Sequence, residues 1–188
     1  MSDFLFRKGE KHKIIFLDVD GVINIPPYMT FDQECLSNLK VLLEKTEAKI
    51  VISSSWRTGN LELTKQEFPK WMRKYIVGET IRGYHETIKG SSLPIERGNE
   101  IKHWVDRNLV YPWHAHGELT DEYRDKSSNK ETSHLMTWNI PNRDFTYVII
   151  DDDDDMLYQQ KDYFVHTNYK NGFTKKDLNK ALKILNHE

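Results

Sequence analysis

Short continuous apolar runs alternate along this chain with longer stretches in which apolar residues recur every three or four positions. The runs are Ile14-Ile15-Phe16-Leu17, Ile50-Val51-Ile52 within Lys49–Ser53, Tyr75-Ile76-Val77-Gly78, Tyr147-Val148-Ile149-Ile150 and Tyr163-Phe164-Val165-His166. Runs of this length, bounded by turn-forming residues, predict buried strands. Helical spacing follows Thr30, at Leu36, Leu39, Leu42 and Leu43, because Pro26-Pro27 forbids a helix earlier. A mixed helical period covers Leu61–Met72 and is interrupted at Pro69; Gly98–Asn108 places Ile101, Trp104 and Val105 on one face; a last helix from about Lys175 carries Leu178, Ala181, Leu182 and Leu185. Strands alternating with helices imply an α/β domain with a five-stranded parallel sheet, right-handed crossovers and helices on both faces.

The connections are uneven. Residues 79–96 are rich in Gly, Ser and Thr and predict a loop, and Asn171-Gly172 predicts a turn before the last helix. Residues 109–145, with Tyr111, Trp113, His114, His116, Tyr123, His134 and Trp138 among charges and serines, show no clear period. A segment this long is unusual as a plain connection, so an inserted lid before the fourth strand is expected. Residues 1–13, with Arg7, Lys8, Lys11 and Lys13, read as a basic, solvated lead-in. At 188 residues the expectation is a single domain, 1–188, holding that insertion.

Composition narrows the class. Charged residues make up 30%, but 12% aromatics and the β-branched runs argue for a folded chain rather than a disordered one. The formal net charge of −2 supplies no global basic field, so any contact with a polyanion must come from a local patch. Cys35 is the only cysteine, which excludes an intramolecular disulfide. No apolar stretch reaches the length of a signal core or a membrane span, and a cytoplasmic protein without membrane contact is expected.

The chemistry concentrates where two strands end. Ile14–Leu17 runs into Asp18-Val19-Asp20-Gly21, and Tyr147–Ile150 runs into five aspartates, Asp151 to Asp155. Carboxylates at the carboxyl ends of parallel strands converge on the crevice where open α/β sheets bind ligands, so the two clusters could share one cation. Asp18 and Asp20 are two apart and in a regular strand would share a face, with Gly21 allowing an immediate turn. Such a pair can transfer a phosphoryl group, one carboxylate attacking phosphorus while the other protonates the leaving oxygen and then activates water. The plainer reading is a turn after a strand, since Asp-Gly is a common turn dipeptide.

The string Phe16-Leu17-Asp18-Val19-Asp20-Gly21-Val22-Ile23-Asn24 resembles the first motif of the haloacid dehalogenase-like (HAD) superfamily of phosphatases, and the other motifs follow in order. Ser53-Ser54-Ser55-Trp56-Arg57 stands where that superfamily places a phosphate-binding hydroxyl, Arg97-Gly98-Asn99-Glu100-Ile101 resembles its basic motif, and Asp151-Asp152 its acidic metal-binding motif. Residues 109–145 fall outside the resemblance. Ser-Ser-Ser-Trp-Arg, Arg-Gly-x-Glu-Ile and the ending Thr167 through Gly172-Phe173-Thr174 are closer to the HAD domain of RNA-repair proteins, and more distantly to the phosphatase half of polynucleotide kinase-phosphatase.

The resemblance implies a Rossmann-like, HAD-type sheet with a minimal cap, there being no room for a large one between Asn24 and Thr30. It further implies Asp18 as nucleophile, Asp20 as general acid/base, and Mg²⁺ held by an Asp18 carboxylate oxygen, the Asp20 carbonyl and Asp152, with Asp151 close by. An oxygen-only site suits Mg²⁺ better than zinc. Ser54 is the candidate phosphate-binding hydroxyl, with Ser53 one residue away and Ser55 next in the same loop. Arg97, in place of the commoner lysine, would neutralise the nucleophile and the transferring group with a rigid fork.

Other features carry two readings each. Asp153 and Asp154 are solvated or cap the following helix; Asp155 orients metal-bound water or does the same. Arg57 contacts substrate or is a surface arginine beside a core Trp56, and Asn24 closes the first motif near the substrate. His114, His116 and His134 lack the partners of a zinc site and read as loop residues. Tyr111, Trp113 and Trp138 pack the insertion or stack a base. No Gly-x-x-x-x-Gly-Lys string is present, so no kinase unit is expected. The expected function is a Mg²⁺-dependent phosphomonoesterase acting on a nucleic-acid or nucleotide terminal phosphate, with no obligatory protein partner. The rivals are a nucleotidase or small-metabolite phosphatase, and a noncatalytic binding module on the same fold.

Overall fold

The computed structural model describes residues 11–27, 30–86, 92–106, 108 and 145–187, with the backbone alone at 84–86 and 92–94. Five strands form one parallel sheet: β1 (His12–Leu17), β4 (Lys49–Ile52), β5 (Ile76–Glu79), β8 (Phe145–Asp151) and β9 (Phe164–His166), in the order β5-β4-β1-β8-β9. All five apolar runs are therefore strands, and the fold is the Rossmann-like α/β arrangement expected. The first strand lies at the centre of the sheet because its residues Ile14 to Leu17 are buried on both faces, which requires cover on each side.

That cover comes from helices in two groups. On one side α1 (Gln33–Thr46) and α5 (Lys175–Asn186) bury Leu39, Leu42, Leu43, Leu178, Ala181 and Leu185 in a cluster with Ile15, Leu17, Ile50 and Ile150. On the other, α4 (Arg97–Val105) packs Ile101 and Trp104 against Ile14, Phe16, Val51 and Ile149. The alternation of Ile14 and Phe16 with Ile15 and Leu17 between the clusters is the two-residue period of a strand with both faces covered.

Local sequence sets the helix ends. Asp32 caps α1 by accepting from the Glu34 and Cys35 amides, each at 2.9 Å. The Leu61–Met72 segment divides into α2 (Leu61–Gln66) and α3 (Lys70–Arg73), with Pro69 at the start of the second. Thr174 and Asp177 form a capping box at α5: the Asp177 amide donates to Thr174 Oγ1, and the Thr174 amide donates to Asp177 Oδ2 at 3.0 Å.

Two connections differ from the simplest reading. Within residues 79–96, read as loop, β6 (Tyr84–Glu86) and β7 (Ser92–Pro94) pair antiparallel. The mixed, Gly- and Ser-rich composition hid them because so short a ladder has no periodicity to show. Between β1 and α1 the chain makes only the two-residue ladder of β2 (Asn24–Ile25) with β3 (Thr30–Phe31), so nothing larger stands there as a cap. The expected lid at 109–145, with its aromatics and histidines, lies outside the described residues apart from Phe145. Among the described residues no helix is long and apolar enough to cross a membrane.

Because Thr174 supplies one half of the α5 cap, Thr174→Ala should lower unfolding free energy by about 1 kcal/mol. A denaturant midpoint shift at unchanged slope would measure it; an unchanged midpoint would mean the box contributes nothing to α5.

Candidate active site

Strand register brings the two acidic clusters together. Leu17 pairs with Ile52 on one side and Ile150 on the other, so the three strands end at one level. The backbone continues that alignment for one residue: the Asp18 amide donates to Ile150 O at 3.0 Å and the Ser53 amide to Leu17 O at 2.9 Å. On the outer strands the Thr80 amide donates to Ile52 O and the Thr167 amide to Asp151 O, both at 2.9 Å. Asp18 consequently leaves the sheet between Ser53 and Asp151, at the carboxyl end where such sheets bind ligands.

Asp18, Asp151 and Asp152 each present an oxygen within 4.8 Å of the others. Asp18 and Asp151 are buried. Burial pushes both carboxyls well above the usual range and the Arg97 guanidinium opposes the rise; Asp152 and Asp20 add to it at Asp18, and Asp18 and Asp152 add to it at Asp151. The Ser54 hydroxyl favours the ionised form of Asp18. Asp152 is raised too, first by burial and then by Asp153.

Arg97, the first residue of α4, faces this cluster. Its Nη2 lies 3.6 Å from Asp18 Oδ1 and its Nε 3.6 Å from Asp151 Oδ2. These are ion-pair contacts too long to be hydrogen bonds. Among the described residues, buried Arg97 Nη1 and Asp151 Oδ2 have no hydrogen-bond partner. One donor and one acceptor are left without partners at the same crevice. Such orphaned groups are costly unless a ligand completes them. The oxygen-only donor set, with an unpartnered carboxylate oxygen, fits a hard divalent cation, and the open guanidinium nitrogen fits an anion.

The second aspartate is held apart from that cluster. The strand ends at Leu17, so Asp18 and Asp20 do not sit in extended register, and Asp20 lies in a turn bridged to Asn24. Asn24 Nδ2 donates to Asp20 Oδ1 at 2.5 Å and Trp56 Nε1 donates to Asp20 Oδ2 at 2.9 Å. Trp56 packs against Phe31 and Phe68, which fixes its indole. A core Trp56 was one of two sequence readings and neither included this bond, because only the folded chain brings residues 36 positions apart together.

The remaining candidates fall into two kinds. Ser53 is buried with an unpartnered hydroxyl, whereas Ser55 is exposed and its carbonyl accepts from Arg82. Arg57 does not reach outward. Buried at 7% exposure, it donates through Nε to Ser54 O at 2.5 Å and through Nη1 to Ile81 O and Glu100 Oε2, each at 2.8 Å, and to Thr80 Oγ1. Burial holds its guanidinium below the usual range, and Glu100 opposes that. Asp155 lies apart from the carboxylate cluster, and its Oδ2 accepts the Arg97 amide at 2.7 Å, where a carboxylate also complements the helix dipole. Asp153 and Asp154 are exposed.

Glu100, which the sequence left without a role, joins two of these groups. It is buried, accepts from Arg57 and from the Gly83 amide at 3.1 Å, and lies 3.9 Å from Arg97 Nη1. The Arg57–Glu100–Arg97 chain therefore links the Ser54 loop to the helix that carries Arg97. Gly98 lets that helix sit close to the 151–163 segment, since a Cβ there would lie 2.5 Å from Leu157 N. Gly21 adopts φ +72°, and a Cβ on it would fall 2.3 Å from Asp152 Cγ.

A parallel α/β sheet whose central strand delivers an aspartate into a carboxylate cluster, faced by a basic residue on a helix N-terminus, defines a phosphatase-type HAD fold. The model of the family described as the HAD domain in Swiss Army Knife RNA repair proteins matches residues 14–135, more than half the chain, and the protein belongs to that family. The match includes Asp18, Asp20, the serine loop and Arg97, runs into the segment set outside the resemblance, and stops before Asp151 and Asp152. Those two acids are associated with the site by the pairing of β8 with β1. No match was found among curated proteins or among solved structures.

Glu100→Gln should lower stability by roughly 3 kcal/mol, because two guanidinium groups then face a neutral amide. In a double-mutant cycle with Arg57→Met the two losses should fall well short of additivity; additive losses would mean the pair is not coupled. Gly21→Ala should weaken divalent-cation binding by displacing the Asp152 carboxylate. The check is the rise in Tm on titrating MgCl₂, expected to be smaller in the variant than in the parent; an equal rise would separate Asp152 from the cation.

Proposed function

We propose that this chain is a Mg²⁺-dependent phosphomonoesterase that removes a terminal phosphate from a nucleic acid through an aspartyl-phosphate. The observation that carries the reading is the convergence of Asp18, Asp151, Asp152 and Arg97 at the carboxyl ends of β1 and β8, with a carboxylate oxygen of Asp151 and a guanidinium nitrogen of Arg97 unpartnered among the described residues. Membership of a family described from RNA-repair proteins supports a polynucleotide over a small metabolite as the source of the phosphate.

In this mechanism Asp18 is the nucleophile. One of its carboxylate oxygens forms a bond to phosphorus as the bond to the leaving oxygen breaks, and Asp20 protonates that oxygen. Asp20 then takes a proton from the water that attacks the aspartyl-phosphate, releasing phosphate and regenerating Asp18. Trp56 and Asn24 orient Asp20 for both transfers. Arg97 neutralises the phosphoryl oxygens, and its permanent charge suits it to that and not to proton transfer. The hydroxyl of Ser54, which favours the ionised form of Asp18, adds a donor toward the same group.

Asp18, Asp151 and Asp152 would hold Mg²⁺, with the Asp20 carbonyl a further oxygen from the same turn. Bound there, the cation would favour the ionised carboxylates against the effect of burial and offset the charge of the transferring phosphoryl group.

Phosphate release should depend on Mg²⁺ and should fall on the order of 10³-fold or more in Asp18→Asn, with the circular dichroism spectrum retained. The assay compares a 3′-phosphorylated oligonucleotide, a 5′-phosphorylated one and a mononucleotide. Substantial turnover by a clean Asp18→Asn preparation would defeat the nucleophile assignment. Release from the mononucleotide alone would identify a nucleotidase instead.

A further inference from the structure

The near-neutral charge of the chain leaves open where a polynucleotide would be gripped, and α5 supplies an answer. Lys175, Lys176, Lys180 and Lys183 are all exposed, and together with Asn179 they line one shallow depression of about 580 Å³. The only acidic residue of the helix, Asp177, is occupied with the Thr174 cap. The positive charge of this face is accordingly uncompensated among the described residues.

Three lysines on other helices pair with a carboxylate of the same helix, although exposed Lys45 and Lys70 have no ion pair among the described residues. In α1, Lys40 pairs with Glu44; in α2, Lys65 pairs with Glu62; in α4, Lys102 pairs with Asp106. Each pair uses the three- or four-residue spacing that stabilises helices. Along α5 no such pair forms among the described residues, although the same spacing recurs at Lys176, Lys180 and Lys183. Those three positions cover about 10 Å of helix, enough to meet more than one phosphate of a nucleic-acid strand.

The position of the face also matters. The loop that leads from β9 into α5 is joined to the turn that follows Asp18: Thr167 Oγ1 donates to Gly21 O at 3.0 Å, and the Phe173 amide donates to Val22 O at 2.8 Å. Gly172 makes that approach possible, because a Cβ there would lie 2.6 Å from Val22 O. Lys175 and Lys176 therefore follow within three residues of a segment bonded to the turn after Asp18, and the remaining lysines continue away along the helix.

We propose that the lysine face of α5 binds the sugar–phosphate backbone of a single-stranded polynucleotide whose terminal phosphate occupies the Asp18 site. The proposal rests on the phosphatase reading for the position of the terminus, but the grip itself needs no catalysis. It is sequence-independent, since phosphate contacts carry no base information.

The test is fluorescence anisotropy of a short single-stranded RNA bearing a 3′- or 5′-phosphate, in EDTA to prevent turnover, across a series of salt concentrations. The parent is compared with Lys180→Gln and with a variant changed to Gln at Lys175, Lys176, Lys180 and Lys183. Neutralising one lysine that meets a phosphate should reduce the slope of log affinity against log salt by about 0.7. The fourfold variant should fall by about 3 in slope and bind at least about tenfold more weakly at low salt, while its Tm and its turnover of a generic aryl phosphate match the parent. No RNA binding by the parent, or equal slopes in parent and fourfold variant, would overturn the proposal, as would lysine-dependent binding to anionic lipid vesicles without RNA binding. Retained, lysine-dependent binding with no phosphate release from any substrate would strike the phosphatase reading alone. Full oligonucleotide turnover with unchanged binding in the variant would strike the α5 face alone.

Discussion

Three carboxylates crowded against one guanidinium at the end of a buried sheet form the constraint around which the rest of this structure is organised. Asp18 and Asp151 are both buried, and desolvation first, then the charges of neighbouring aspartates, opposes their ionisation. Arg97 is the nearest counter-charge described, and it contacts both from 3.6 Å without closing a hydrogen bond to either. An arrangement of this kind costs stability in the folded chain and makes sense where a cation and an anion are to be exchanged at the same place. Functional sites commonly hold such locally unfavourable groups, offset by the packing around them.

The surroundings act to keep that guanidinium in place. Asp155 fixes the backbone of α4 at Arg97, Glu100 lies one turn further on, and Arg57 ties Glu100 to the serine loop. Arg57 and Glu100 are buried, hydrogen-bonded charges, so each depends on the other to remain paired. The glycines are part of the same device. Gly98 admits the 151–163 segment to the start of α4, and Gly21 leaves space for the Asp152 carboxylate. Backbone close approach, and not loop flexibility, is the reason for glycine at both positions.

The sheet and its order of elements were legible because each strand is an apolar run buried on both faces and each helix carries a 3.6-residue stripe. Ile14 to Leu17 contribute alternately to two hydrophobic clusters, which is why the run is continuous rather than alternating. The β6–β7 ladder was not legible, since three-residue strands leave no period in a Gly- and Ser-rich stretch. At the site, Asp18, Asp20 and Arg97 stood out through local strings. Trp56 and Glu100 did not, because their partners, Asp20 and Arg57, lie 36 and 43 residues away and an indole or a helical glutamate has an ordinary place in any core or surface. Arg57 was ambiguous for the same reason: its neighbour Trp56 suggested substrate or surface equally, and only the fold buries it against Ser54, Thr80 and Glu100.

The sequence by itself determined which segments are strands and helices and which carboxylates terminate them, since periodicity, turn residues and acid clusters are local properties of the chain. Tertiary structure decided which of those ends meet. The pairing of β1 with both β4 and β8 in matched register sets Asp18 between Ser53 and Asp151 across about 130 residues of intervening chain, and register is a long-range outcome of burying both faces of the central strand. It also decided which charges are used within the fold. Arg57 satisfies buried backbone and side-chain groups and Asp155 the first amide of α4, whereas the α5 lysines remain facing solvent because the opposite stripe of that helix is committed to the core.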